Sequence, residues 1–372
     1  MRRAVCLLPL LGWLGLGIGC AGPRANFFPL GIYGVRNAAE LETARNLGCN
    51  LVCGAARREF LDEADARGLK VLAAPPTFAG KNFSPGATRQ AIASLDHHPA
   101  LWAWYLVDEP DLNQISPREV AEARGTFKAL GARKPTALVV YQGQNLIDYR
   151  RGADILMFDR YPIPWLPLAN FGQHARLARL AAGDKPLLAV IQAFDWNYFR
   201  ELLPDEKNFR APTYEELKCM TYLALTHRAD GLLYYALHDG KWDAREHPEI
   251  WGALQRVLAE VNERRPLFQA VHEWWLPDLR YRQPSARFNA SLETSITTAL
   301  VRVRRGSVRV PAGRYIVAVN TTEREQIASF LLPHAADGRI AVFDENRSLV
   351  AESNRVEDRF APFALHVYGP LP

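Results

Sequence analysis

Cysteine is scarce. The chain of 372 residues has five, and beyond position 20 only Cys49, Cys53 and Cys219 remain. So few, and an odd number, exclude a small fold held together by disulfides. Cys49 and Cys53 fall on one expected strand, roughly 13 Å apart at about 3.3 Å per residue, too far to bridge. All three read as buried structural thiols. No Gly-rich phosphate loop follows the first strand, which argues against a dinucleotide fold. No Gly-x-Ser-x-Gly elbow is present, which disfavours a serine esterase. No His and Cys set has metal-ligand spacing, so neither a metal nor a cofactor is expected. Charge of one sign is also missing: 45 basic residues face 40 acidic ones, a net charge of +5. That balance speaks against a nucleic-acid partner.

The first 20 residues differ from the rest. Arg2 and Arg3 precede an uncharged apolar stretch from Ala4 to Ile18. This is the pattern of a secretory signal, too short for a membrane span. It ends in Gly19-Cys20, which resembles the lipobox of bacterial lipoproteins, with Leu16 one position early. The expectation is an exported protein, periplasmic or extracellular. Membrane contact would come only through a lipid on Cys20.

From residue 31 to residue 264 a short apolar run alternates with an amphipathic one. The runs 31–35, 49–55, 70–75, 101–107, 136–141, 154–158, 186–192 and 231–237 read as strands. The intervening 38–47, 60–67, 88–96, 117–130, 145–151, 173–182, 214–228 and 249–264 read as helices. Strands so continuously apolar are buried on both faces, as in a parallel sheet. Eight such units predict an α/β fold, a (β/α)8 TIM barrel, over residues 21–264. Beyond 265 the runs 296–303, 308–310, 314–320, 327–332, 340–343 and 364–368 alternate apolar with polar. They predict a small antiparallel β-sandwich, with 265–289 as its connector.

Active sites of such barrels lie at the C-terminal ends of the strands. The fourth strand runs into Asp108-Glu109-Pro110 and the fifth into Gln142. The sixth ends with Asp159 and Tyr161, and the seventh with Gln192, Asp195 and Trp196. The eighth carries Tyr235, then His238 and Asp239. Flat rings beside carboxylates suit sugars, which stack their C–H faces on rings and bond their hydroxyls to polar groups. Asp108, Gln142, Tyr161, Gln192, Trp196, Tyr235, His238 and Asp239 are therefore the candidate substrate contacts, and carbohydrate the expected partner. His97 and His98 lie at the opposite end of the fourth strand and read as structural.

The run Trp104 to Pro110 resembles the fourth-strand segment of retaining clan-A glycoside hydrolases, relatives of β-galactosidases, cellulases and mannanases. Those enzymes have Asn-Glu-Pro there, with the Glu as acid/base. The resemblance makes Glu109 the proton donor in hydrolysis of an O-glycosidic bond of an oligo- or polysaccharide. Independently, an acid that must stay protonated near neutral pH gains from a negative neighbour such as Asp108 and from apolar surroundings. Two departures stand out. Asp108 replaces the family's Asn, and Gln192 occupies the position of its nucleophilic Glu. A second carboxylate is then sought in Asp195, Asp159 or Asp239. Alternatively, Asp108 and Glu109 could act by substrate assistance, as in hexosaminidases, although strand alternation would turn Asp108 away unless the chain kinks there. A barrel that binds glycans without cleaving them is the remaining alternative.

Overall fold

The computed structural model describes residues 27–75, 84–282, 295–333 and 338–371. The leader, with Cys20, lies outside the described residues. Eight strands close a parallel barrel in chain order: β1 (Leu30–Ile32), β2 (Leu51–Ala55), β3 (Lys70–Ala74), β4 (Leu101–Val107), β5 (Thr136–Val140), β6 (Ile155–Arg160), β7 (Leu187–Gln192) and β8 (Gly231–Tyr235). β8 pairs back onto β1. Between and after them run α1 (Ala38–Asn46), α2 (Arg58–Ala66), α3 (Pro85–Leu95), α4 (Pro117–Ala129), α5 (Leu146–Tyr149), α6 (Leu168–Ala182), α7 (Tyr214–Thr226) and α8 (Pro248–Glu263). Local chemistry starts several of these helices. Ser116 and Thr213 close capping boxes with Glu119 and Glu216, and Pro85 and Pro117 occupy first-turn positions where no N–H is needed. The fifth expected helix is shorter than its sequence suggests: a 3-10 turn at Gly143–Asn145 leads into the single turn of α5.

Side chains on the strands alternate between two cores. Cys53, Ala103, Tyr105, Val139, Met157, Val190 and Leu233 fill the barrel interior. Leu30, Ile32, Val52, Trp104, Val140 and Ile191 face outward onto the helices. The thiols of Cys49, Cys53 and Cys219 are free and buried. At the N-terminal end His98 bonds Asp62, and Asp96 accepts from the Trp104 indole and the Arg133 backbone. Those groups close the base of the barrel.

After β8 a short hairpin, β9 (His238–Asp239) and β10 (Trp242–Asp243), precedes α8. The last helical turn is α9 (Arg265–Phe268). Two antiparallel sheets follow. The larger has the order β11 (Val271–Glu273), β13 (Ile296–Val303), β14 (Gly313–Asn320), β19 (Leu365–Leu371), β16 (Gly338–Val342) and β17 (Arg347–Ala351). The smaller pairs β12 (Arg280–Tyr281), β15 (Gln326–Leu331) and β18 (Arg355–Phe360). Ile316, Ala318, Phe330, Val356 and Phe360 form the core between them.

Residues 308–310, expected as a strand, form a bend instead, with Val308 fully exposed and Val310 buried. β17 and β18 lacked a clear apolar signal. On β18 the inward set is Val356, Asp358 and Phe360, and the buried Asp358 is satisfied by Arg347 and the Tyr368 hydroxyl. The outer face of the larger sheet, through Val301, Tyr315, Val317 and Val319, joins the core of the helical shell, where α7 packs on β13 and β14.

Candidate active site

The inward alternation of each strand continues past its last interior residue. It places Tyr33 after β1, Tyr141 after β5, Asp159 and Tyr161 at β6, and Tyr235 at the end of β8 around one cavity. That cavity, of about 180 Å³, opens at the C-terminal ends of the strands. Phe194, Trp196, Phe199 and Leu202 from the loop after β7 complete its wall, with Leu112 from the loop after β4. The aromatic side is continuous. Tyr161 stacks on Tyr235 at 5.7 Å, Tyr33 meets Tyr235 edge-on at 5.4 Å, and Phe194 contacts Trp196 at 4.9 Å.

β4 supplies two carboxylates by breaking its own regularity. Its register to β5 shifts between Tyr105 and Val107. Glu109 then adopts φ +40°, the left-handed region that non-glycine residues seldom enter. The kink lets Asp108 and Glu109 both line the cavity, which plain alternation would forbid. The turn is fixed from behind: the backbone N–H groups of Leu112 and Asn113 donate to the Glu109 carbonyl. The Asp111 carboxylate accepts from the backbone of Tyr141 and Gln142, each at 3.0 Å.

Three carboxyl groups thus meet. Glu109 is raised to about 7, first by burial and then by the charge of Asp108, while a side-chain hydrogen bond with Asp159 opposes the rise. Asp159 is buried and lies well above the carboxylate range, again through burial first, then through the charges of Glu109 and Asp108. Two carboxyls in hydrogen-bond contact cannot both ionise cheaply, so this pair holds one proton near neutral pH. Asp108 is also raised by burial, opposed by the Tyr105 hydroxyl that donates to it. It is surrounded by the cavity walls yet reached by water.

Of the residues singled out in the sequence, Asp108, Glu109, Asp159, Tyr161, Trp196 and Tyr235 come together here. Others do not. Gln192 is fully buried: its Oε1 accepts from Ile163 N at 2.9 Å, and its Nε2 donates to Ile163 O at 2.8 Å. It clamps the loop after β6 and does not line the cavity, which corrects its reading as a substrate contact. Asp195 lies outside the lining as well. It caps the 3-10 helix at Trp196–Leu202 by accepting from Asn197 N at 2.7 Å, which corrects its reading as a second catalytic carboxylate. Gln142 is exposed and bonds Gln144. His238 meets Arg36 at 2.6 Å, and Asp239 accepts from the Tyr235 hydroxyl; neither lines the cavity. Tyr33, Tyr141 and Phe194 were not among the expected contacts. Their signal was parity: Tyr33 and Tyr141 each follow an interior position by two residues.

No protein-family model matches the chain, and no curated protein is similar to it in sequence. Its fold is shared with solved glycoside hydrolases. A family 5 glycoside hydrolase from Bacteroides vulgatus has 11% identity and a TM-score of 0.58, over 92% of this chain and 89% of that one. A family 42 β-galactosidase from G. stearothermophilus has 9% identity and a TM-score of 0.58, over 93% and 98% of the two chains. An α-amylase from Geobacillus thermoleovorans has 12% identity and a TM-score of 0.52, over 91% and 97%. At these identities the likeness is one of fold: a TIM barrel, here with an added β-sandwich.

Proposed function

We propose that the protein hydrolyses an O-glycosidic bond of an oligo- or polysaccharide, with Glu109 as the general acid. The observation that carries this is a carboxyl raised to about 7 inside an aromatic-walled cavity at the barrel mouth, in contact with a second carboxyl. In the step, the Glu109 proton passes to the leaving oxygen as the C1–O bond breaks, and the bond electrons stay with that oxygen. Asp108, the carboxylate outside the shared-proton pair, faces the positive charge that develops on the ring and accepts a proton from the attacking water. Asp159 positions Glu109 and keeps its proton in place.

A second reading is favoured by the kink at Glu109 and by the burial of Gln192. With both Asp108 and Glu109 in the cavity, Asp108 is placed to orient an acetamido group of the substrate, which would then act as the internal nucleophile.

Turnover of chromogenic glycosides tests the main reading. Glu109→Gln is expected to lower kcat/KM by about 10²–10⁴-fold for glycosides with poor leaving groups. If wild type and Glu109→Gln both bind glycan and neither turns any over, the hydrolase reading fails and a glycan-binding barrel replaces it. We also propose export with lipid on Cys20. Labelled fatty acid should enter the wild-type chain and not Cys20→Ser, and equal labelling of both would refute that.

A further inference from the structure

Asp108, Glu109 and Asp159 face one cavity whose lining contains no Lys, Arg or His. The charges that act most strongly on these carboxyls are those of other carboxyls. Nearby cations are turned elsewhere. Arg160 donates to Asn170 and lies over the Tyr141 ring, 4.9 Å from its centre, while Arg36 is held by Glu40 and His238. Asp159 is 4% exposed and is engaged by the Glu109 carboxyl and the Tyr161 hydroxyl, which leaves Asp108 as the carboxyl open to a ligand. The Trp196 indole N–H is buried without an acceptor. A buried donor and the negative charge of Asp108 are left for a ligand to satisfy.

Among the described residues no group of His, Cys, Asp or Glu has the arrangement to hold a metal ion. The rings of Tyr33, Tyr161, Tyr235 and Trp196 line the same cavity, and aromatic walls suit a cation bound among carboxylates. The volume, about 180 Å³, falls below the ~300–1,000 Å³ of sites for larger ligands and suits a single ring.

We propose that this cavity is a subsite for one sugar ring bearing a free, protonated amine, with Asp108 as the partner of the ammonium group. The proposal rests on the carbohydrate reading of the same cavity and names its substrate class. Of the three carboxyls, Asp108 is the one not engaged with another carboxyl. The Tyr105 hydroxyl occupies its Oδ1, leaving Oδ2 for the ligand.

Calorimetric titration of the full chain with D-glucosamine, D-glucose, N-acetyl-D-glucosamine and choline tests this. The wild type is expected to bind glucosamine at least about tenfold more tightly than each of the other three. Asp108→Asn should bring glucosamine to within about twofold of glucose, and Asp108→Glu should restore the preference. Glucose or N-acetylglucosamine binding as tightly as glucosamine overturns the proposal, as does choline matching it, or no binding by any of the four. The wild-type comparison stands even if a variant fails to fold. Equal sugar affinities together with Glu109-dependent turnover of neutral glycosides would defeat the amine subsite and leave the hydrolase reading intact. Amine preference without turnover would do the reverse.

Discussion

A single side chain, Gln192, shows how a residue in register with an active site can be lost to it. It follows the inward positions Leu188 and Val190 on β7, so strand parity aims it at the barrel mouth. Its amide is nevertheless consumed by both backbone groups of Ile163. In a carboxylate the oxygen replacing Nε2 would face the carbonyl oxygens of Ile163 and Phe194 in a fully buried site. Gln192→Glu is therefore expected to destabilise the protein by about 1–3 kcal/mol, with no gain in glycoside turnover. Denaturant melts together with a turnover assay check this, and a rise in turnover would show that position 192 reaches substrate. Glu109 illustrates the converse. Its carboxyl reaches the cavity only because its backbone turns to φ +40°, a local departure that no pattern of apolar residues announces.

At the scale of elements, continuous apolar runs marked the barrel strands well, and β4 begins and ends where its sequence suggests. The alternating strands of the sandwich were harder. β18 buries an aspartate whose partners lie on β17 and β19, far along the chain, so its inward face does not read as apolar. The same limit governs the site. Asp159, Tyr161 and Tyr235 were legible as strand-end residues, whereas the withdrawal of Gln192 depended on the loop after β6 and that of Asp195 on the 3-10 turn it caps. The loop from Glu109 to Ile115 is tied to the end of β5 by Asp111, which also accepts from the Asn145 amide at 3.0 Å. Removing that carboxylate frees three donors and loosens Leu112 and Tyr141 together. Asp111→Ala is expected to cost about 2 kcal/mol and to raise KM more than it lowers kcat. Chemical denaturation and steady-state kinetics give both numbers, and an unchanged KM would mean that the tie does not shape the cavity.

For the whole molecule, the barrel mouth and the β-sandwich divide the labour. The sandwich sheet buries its outer face on α7 and α9, joining one core with the helical shell, while the cavity is built from strand ends and their loops alone. The closed barrel holds three carboxyls together at its mouth, Asp159 buried and Asp108 reached by water, where they raise one another's proton affinity. The folded state therefore keeps a proton that the unfolded chain releases. As pH rises from the ordinary glutamate value of 4.5 to about 7, Glu109 costs the fold stability, and the same carboxyl remains an acid. The direct measurement is a ¹³C NMR titration of the Glu109 carboxyl in the full chain, assigned by its loss in Glu109→Gln. A midpoint near 7 is expected, moving down in Asp108→Asn. A midpoint near 4.5, unmoved by that substitution, would contradict a proton donor held at the mouth of the barrel.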